Sequence, residues 1–466
     1  MLPLSFGWRG IALAALLASS PALVHRQTAL PAQTDDEYTR YDLLAPETHS
    51  FRITYDVTAT SAGALLYWNG IRRGSEASAI AVTDRMTGAP LEWSLVDGKT
   101  ARENGSAEAS AEGRYIQIRL ARPVPAGGEA RLRIFKTYRD AASYRSTLGT
   151  AGSLERPAEI IFERTLSIPF NSVVLPAGYE LIACNYPSQV RTESDGRIRV
   201  SFLNPGPAEV PYRVVGRNLP ALSGEALPDA ARSLIPGQRG AAPGPPASSA
   251  AQRTAAATEP PGARLNFTFS ERALEDREIV YFLEPPETHS FRLYHDYTET
   301  REGVDRYLNV VRAGSKASNP SAKILDTGEP LKVETLQGAE ALRRGIRAEA
   351  GDPIAPDAEV VVIWFPAVKK GQSVRLRIEE TYTDPGRYLL AGDELIWDRS
   401  FGRPRNTVVL PAGWYVTSSS IPATASLWPG GRTALHFVND RPDNIAVFLR
   451  ARRTGREQAP ALHAQP

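Results

Sequence analysis

The chain has 466 residues, 42% of them hydrophobic and 23% charged, with a formal net charge of +2. That balance is ordinary for a globular protein and gives no global field that would draw nucleic acid or an anionic membrane. Cys184 is the sole cysteine, which excludes a disulfide within the chain and a cysteine-based zinc site.

In chain order, a targeting pattern comes first. Arg9 precedes an apolar run over residues 11–17, and Ser20-Pro21-Ala22 supplies small residues at cleavage positions. The run is shorter than the roughly 20 residues that cross a bilayer. The expectation is a signal peptide and mature N-terminal tail over 1–33. No cysteine follows to carry a lipid, and no later window approaches membrane length. A periplasmic or secreted protein, with no membrane span after signal removal, is predicted.

Residues 23–40 are polar and read as irregular, and the strands of the first domain follow. Phe51-Arg52-Ile53-Thr54-Tyr55-Asp56-Val57-Thr58 alternates apolar and polar, the mark of a half-buried strand. Leu65-Leu66-Tyr67-Trp68-Asn69 reads as the next strand, and Thr87-Gly88-Ala89-Pro90-Leu91 as a turn entering another. Residues 115–120 and 130–135 read as the arms of a hairpin around Pro125-Ala126-Gly127-Gly128, the return arm carrying Arg on one face and aliphatics on the other. Further strands are predicted at 160–164, 172–175 and 197–202.

The same order then recurs. Pro46-Glu47-Thr48-His49-Ser50-Phe51-Arg52 returns as Pro286-Glu287-Thr288-His289-Ser290-Phe291-Arg292, 240 residues on. Arg131-Leu132-Arg133-Ile134 returns as Arg375-Leu376-Arg377-Ile378, 244 on, and Asn171-Ser172-Val173-Val174-Leu175 as Asn406-Thr407-Val408-Val409-Leu410, 235 on. Drift of this size is what loop insertions and deletions produce, so the chain is a tandem duplication. The predicted fold is all-β: two tandem antiparallel β-sandwich domains, over 34–217 and 263–453. A disordered Ala/Pro/Gly-rich linker is expected at 218–262 and a disordered tail at 454–466. One helix is predicted, over 271–279, just ahead of the second copy's first strand.

A strand, a strand ending in Asn, a Thr-Gly-x-Pro-Leu turn and a segment closing in Arg-Leu-Arg-Ile and Thr-Tyr follow one another in each copy. This order resembles the N-terminal β-sandwich of aminopeptidase N-like zinc peptidases, and the related sandwich of ribophorin, over about 100 residues per copy. In that family the zinc is held by a separate downstream domain carrying His-Glu-x-x-His. No His is followed by Glu in this chain, so the resemblance implies a scaffold and carries over no catalytic residue, cofactor or metal.

Polar residues kept at matching places in both copies are the candidate site: Glu47, His49, Asp140, Glu163, Arg164 and Asn171, with Glu287, His289, Asp384, Asp398, Arg399 and Asn406. Asp56 and Asp296 match as well. On a functional reading they converge on a polar pocket in each domain. On a structural reading, which is favoured, the Glu-Thr-His turn satisfies backbone groups and Arg164 pairs with a carboxylate at the sandwich end. The tryptophans read as core, because their counterparts in the other copy are other apolar residues. The expected function is a non-catalytic binding or adaptor protein, engaging a protein or glycan partner in the cell envelope, with bivalent engagement open to two similar domains. The alternative is a periplasmic hydrolase of peptide or glycan with its site around the repeated Glu-Thr-His loop.

Overall fold

A computed structural model of the chain describes residues 38–147, 158–218, 276–347, 354–441 and 443–453. The expected signal peptide, all but the first residue of the expected linker, and the expected tail lie outside the described residues.

The first copy contributes fourteen strands: β1 (Tyr38–Leu43), β2 (Ser50–Ala59), β3 (Leu66–Ile71), β4 (Glu76–Asp84), β5 (Trp93–Asp97), β6 (Arg114–Arg119), β7 (Ala130–Arg139), β8 (Tyr144–Ser146), β9 (Glu159–Leu166), β10 (Phe170–Val174), β11 (Tyr179–Cys184), β12 (Gln189–Thr192), β13 (Ile198–Leu203) and β14 (Val210–Asn218). They form a seven-stranded sheet in the order β12-β13-β10-β1-β2-β7-β4. A four-stranded sheet, β11-β14-β9-β8, and a three-stranded sheet, β3-β6-β5, accompany it. The second copy repeats all three sheets in the same strand order. Each copy is therefore all-β, as predicted. The large sheets are mixed: β1 runs antiparallel to β2 but parallel to β10, and Arg277–Leu283 likewise runs parallel to Arg405–Val409.

Period-2 alternation builds the core. Phe51, Ile53 and Val57 of β2 and Leu132 and Ile134 of β7 face inward, where they meet Ile116 and Ile118 of the small sheet and Phe162 and Tyr212 of the four-stranded one. The second copy builds the same core around Phe291, Leu376, Ile378, Val361 and Trp397.

Two expectations are corrected. Residues 115–120 and 130–135 are not partners in a hairpin: β6 pairs with β3 and β5, whereas β7 pairs with β2 and β4. Both strands present apolar residues to one core, so they face each other across it. The ten residues 120–129 are ample to cross the roughly 10 Å between layers. The helix predicted over 271–279 is overturned where the structure describes it, because Arg277–Leu283 is a strand. Tyr281 and Leu283 are buried there between two paired neighbours, and tertiary pairing overrides the local helical pattern.

The Arg131 end of the Arg face of β7 is covered by the other copy. Arg131 makes a bidentate pair with Asp326 at 2.8 and 2.7 Å, both side chains fully buried. Its counterpart Arg375 lies 3.4 Å from Glu129, back across the junction. Backbone bonds repeat the reciprocity: the Glu129 N–H donates to the Leu325 carbonyl, and the Ser373 N–H to that of Met86. Asp56 holds Arg133, and Asp296 holds Arg377, by equivalent bidentate pairs within each copy. The two repeats are thus joined through matched polar faces.

Candidate functional site

The duplicated polar residues divide into groups. Pro46–Thr48 and Pro286–Thr288 are single 3-10 turns, closed by His49 and His289 in the left-handed backbone region at φ 50° and 53°. The His49 ring bonds the Tyr144 carbonyl at 3.1 Å and the His289 ring that of Tyr388 at 2.9 Å. Glu47 and Glu287 are exposed.

Asp140 and Arg164 do come together. Arg164 donates to Asp140 at 3.0 Å, and Asp140 also accepts from Ser75 and Ser143. Burial pushes the Asp140 carboxyl up, but the hydrogen bonds of Ser143 and Ser75 and the charge of Arg164 outweigh it and hold the carboxyl below its ordinary value. Asp384 and Arg399 repeat the pair at 2.8 Å. Glu163 faces outward and pairs with Arg145, and Asp398 is exposed. Asn171 and Asn406 donate to the carbonyls of Ile168 and Arg403, tying the loops that precede their strands. Among the described residues, no hydrogen bond links Glu47, Glu163 or Asn171 to the Asp140–Arg164 pair. One convergent pocket built from all six residues is therefore not formed, and no group of three or more His, Cys, Asp or Glu among the described residues could hold a metal ion.

A different site lies beside that pair. A cavity of about 570 Å³ opens between the inner face of the large sheet and the end of β3, lined among others by Tyr41, Tyr55, Asn69, Lys136, Tyr138 and Arg164. Lys136 stands on β7 in the apolar series Leu132, Ile134, Lys136, Tyr138, with only 5% of its surface exposed. Its Nζ donates to Asn69 Oδ1 at 2.5 Å and lies 4.8 Å from the centre of the Tyr138 ring. No carboxylate among the described residues lies within ion-pair distance of it. Burial, with the nearby Arg164 charge, pushes its ammonium down to about 7.

The second repeat carries the opposite charge at the same place. Lys136 pairs in register with Ile53, and Glu380 pairs with Leu293. Glu380 is 5% exposed, and both its oxygens accept from Asn309 Nδ2, at 3.0 and 2.8 Å. Burial raises its carboxyl above the ordinary range, and the Asn309 and Tyr382 hydrogen bonds only partly offset this. His295 replaces Tyr55, and Arg403 replaces Ile168 and reaches the Tyr307 hydroxyl at 3.5 Å. Lys136 and Glu380 differ between the copies, so matching polar residues across the repeats does not single them out. The available signal was a charge standing on the core face of a period-2 strand.

No protein-family model and no curated protein matches the chain. Among solved structures, it is similar to an M1 zinc metallopeptidase from Deinococcus radiodurans, at 17% identity over 43% of this chain and 52% of that one, with a TM-score of 0.24. A point mutant of that enzyme matches at 13% identity over 38% of this chain, and the match spans only 41% of the mutant's own length, again at 0.24. An aminopeptidase N family protein from Idiomarina loihiensis matches at 10% identity over 37% and 29%, at 0.23. These partial likenesses lie in the family that the strand order resembles, and nothing about activity follows from them.

Proposed function

We propose that the protein is an exported, non-catalytic binding protein whose ligand enters the chamber of the first repeat, with the second repeat as its brace. The observation that carries this reading is the 570 Å³ chamber with a buried, hydrogen-bonding lysine in its wall. Its size lies within the range of small-molecule sites, and it combines aromatic surface with a few convergent polar groups. The matched histidines, the Asp140–Arg164 and Asp384–Arg399 pairs and the matched asparagines hold turns and strand ends, whereas Lys136 and Ile168 in the chamber wall differ between the copies, which supports the chamber as the place where a ligand is selected.

The test is ligand-observed NMR with a fragment set on the full chain and on Ile168→Trp. Ile168 lines the chamber and is half-buried, so the larger ring fills it. Fragments that bind the wild-type protein and are lost from the variant support the reading. Binding that survives the substitution, or no binding at all, sinks it.

A further inference from the structure

Resting on that reading, we infer that the chamber takes its ligand by a carboxylate, for which Lys136 is the counter-charge. The Lys136 ammonium has three protons to donate and one bond to Asn69. Burying a charge is costly unless it is paired, and no carboxylate among the described residues pairs with it. Every other buried cation near it is already engaged: Arg164, on the same wall, is held by Asp140 and Ser143. The Lys136 amine instead borders an open cavity large enough for an organic acid, whose lining also carries the exposed Arg72 and Glu209, the latter not within ion-pair distance of Lys136.

The second repeat shows the same scaffold turned to hold the opposite charge. Asn309 turns its amide nitrogen toward both oxygens of Glu380, and Arg403 extends to the Tyr307 hydroxyl. In the first repeat Asn69 presents its oxygen instead, and Ile168 stands in place of the arginine, so among the described residues the Lys136 amine has Asn69 as its one hydrogen-bond partner beside the cavity. The rings of Tyr41, Tyr55 and Tyr138 line the cavity and suit a carboxylate attached to a flat or apolar body.

Charge pairing also fixes a pH signature. A carboxylate binds the protonated amine, and the free amine is held near 7. Affinity is therefore level below pH 7 and weakens up to about tenfold per pH unit above it. The bound acid restores the proton, so binding at pH 8 takes up protons from the buffer.

The experiment compares matched probes, benzoate and 4-phenylbutanoate against their primary amides, by titration calorimetry at pH 6.5 and 8.5 in buffers of different ionisation enthalpy. The expected result is that the acids bind, the amides bind at least tenfold more weakly, Lys136→Met weakens the acids at least tenfold, and the wild-type protein loses tenfold or more between the two pH values. Loss of affinity with pH is read on the wild-type protein alone, so it stands whether or not the variant folds. Amides that bind as well as acids, or acid binding that Lys136→Met and pH leave unchanged, overturn the carboxylate assignment and leave the chamber a binding site. If neither class binds, and the wider fragment set shows no loss in Ile168→Trp, the chamber reading itself falls.

Discussion

The two repeats share a fold, a strand order and most of their buried polar pairs, yet at one matched position the first buries a base and the second an acid. Lys136 and Glu380 occupy the same register on corresponding strands, and each uses the corresponding asparagine, Asn69 or Asn309, turned to suit its charge. Duplication has kept what holds the sheets together and has varied the charge at the centre of each. Function is therefore to be sought in the difference between the copies.

The largest expected effect tests how far the copies depend on each other. Arg131 is fully buried and reaches Asp326 of the other repeat by a bidentate pair. Arg131→Ala leaves Asp326 buried and short of that partner, which costs about 3–5 kcal/mol. Arg375→Ala removes the matching side chain, which meets the buried Glu129 across the junction at a looser 3.4 Å and pairs with the partly exposed Asp276 on its own side, so the loss is expected to be the smaller of the two. Urea denaturation of both variants checks the order. Equal losses would show that the junction is symmetric in energy as well as in outline.

Next come the two central charges, which have opposite pH signatures. Lys136 is held near 7 in the folded chain against an ordinary 10.5. Between those values the unfolded chain binds the extra proton, so stability rises with pH through that window, by up to about 1.4 kcal/mol per unit. Lys136→Met removes that slope and stabilises the protein at pH 7 by on the order of 2–4 kcal/mol. Glu380 is raised above its ordinary 4.5. There the folded chain binds the extra proton, so stability falls as pH climbs from 4.5 through the raised value. Glu380→Gln removes that fall and raises stability at neutral pH, by less than Lys136→Met does. Thermal melts from pH 4 to 10 separate the two, and a single common slope would refute the opposed assignment.

Much of this architecture is legible in the sequence, for reasons that also mark where reading stops. Alternation along residues 51–58 places Phe51, Ile53 and Val57 in the core because side-chain period alone decides the face of a strand. It does not decide which strand is the neighbour. Thus β6 and β7, adjacent in sequence, lie in different sheets, and residues 277–279, charged and helical in pattern, pair as a strand. The structural role of Arg164 was readable from the matching acid and base in each copy, Asp140 with Arg164 and Asp384 with Arg399. The chamber was not, because it is a gap between sheets, and a gap has no residues of its own. Lys136 could have been found by asking which charge interrupts an apolar face, a question that comparison of unchanged residues passes over.

The smallest effect bears on the feature that stands out most in the sequence, the repeated Pro-Glu-Thr-His turn. His49 and His289 adopt the left-handed backbone, and each ring bonds a carbonyl about 95–100 residues away, that of Tyr144 or of Tyr388. If the turn serves the fold in both copies, replacing either histidine costs the same. His49→Asn and His289→Asn keep a residue that tolerates the left-handed region, so they isolate the ring's hydrogen bond, worth about 1 kcal/mol. The expected outcome is two equal losses in stability with chamber binding of the acid probes unchanged. A variant that keeps full stability but loses binding in the first repeat, with no parallel in the second, would make the turn part of the site. The sharing of the turn would then no longer argue for a purely structural role, and the distinction between common scaffold and diverged chamber would have to be redrawn around His49.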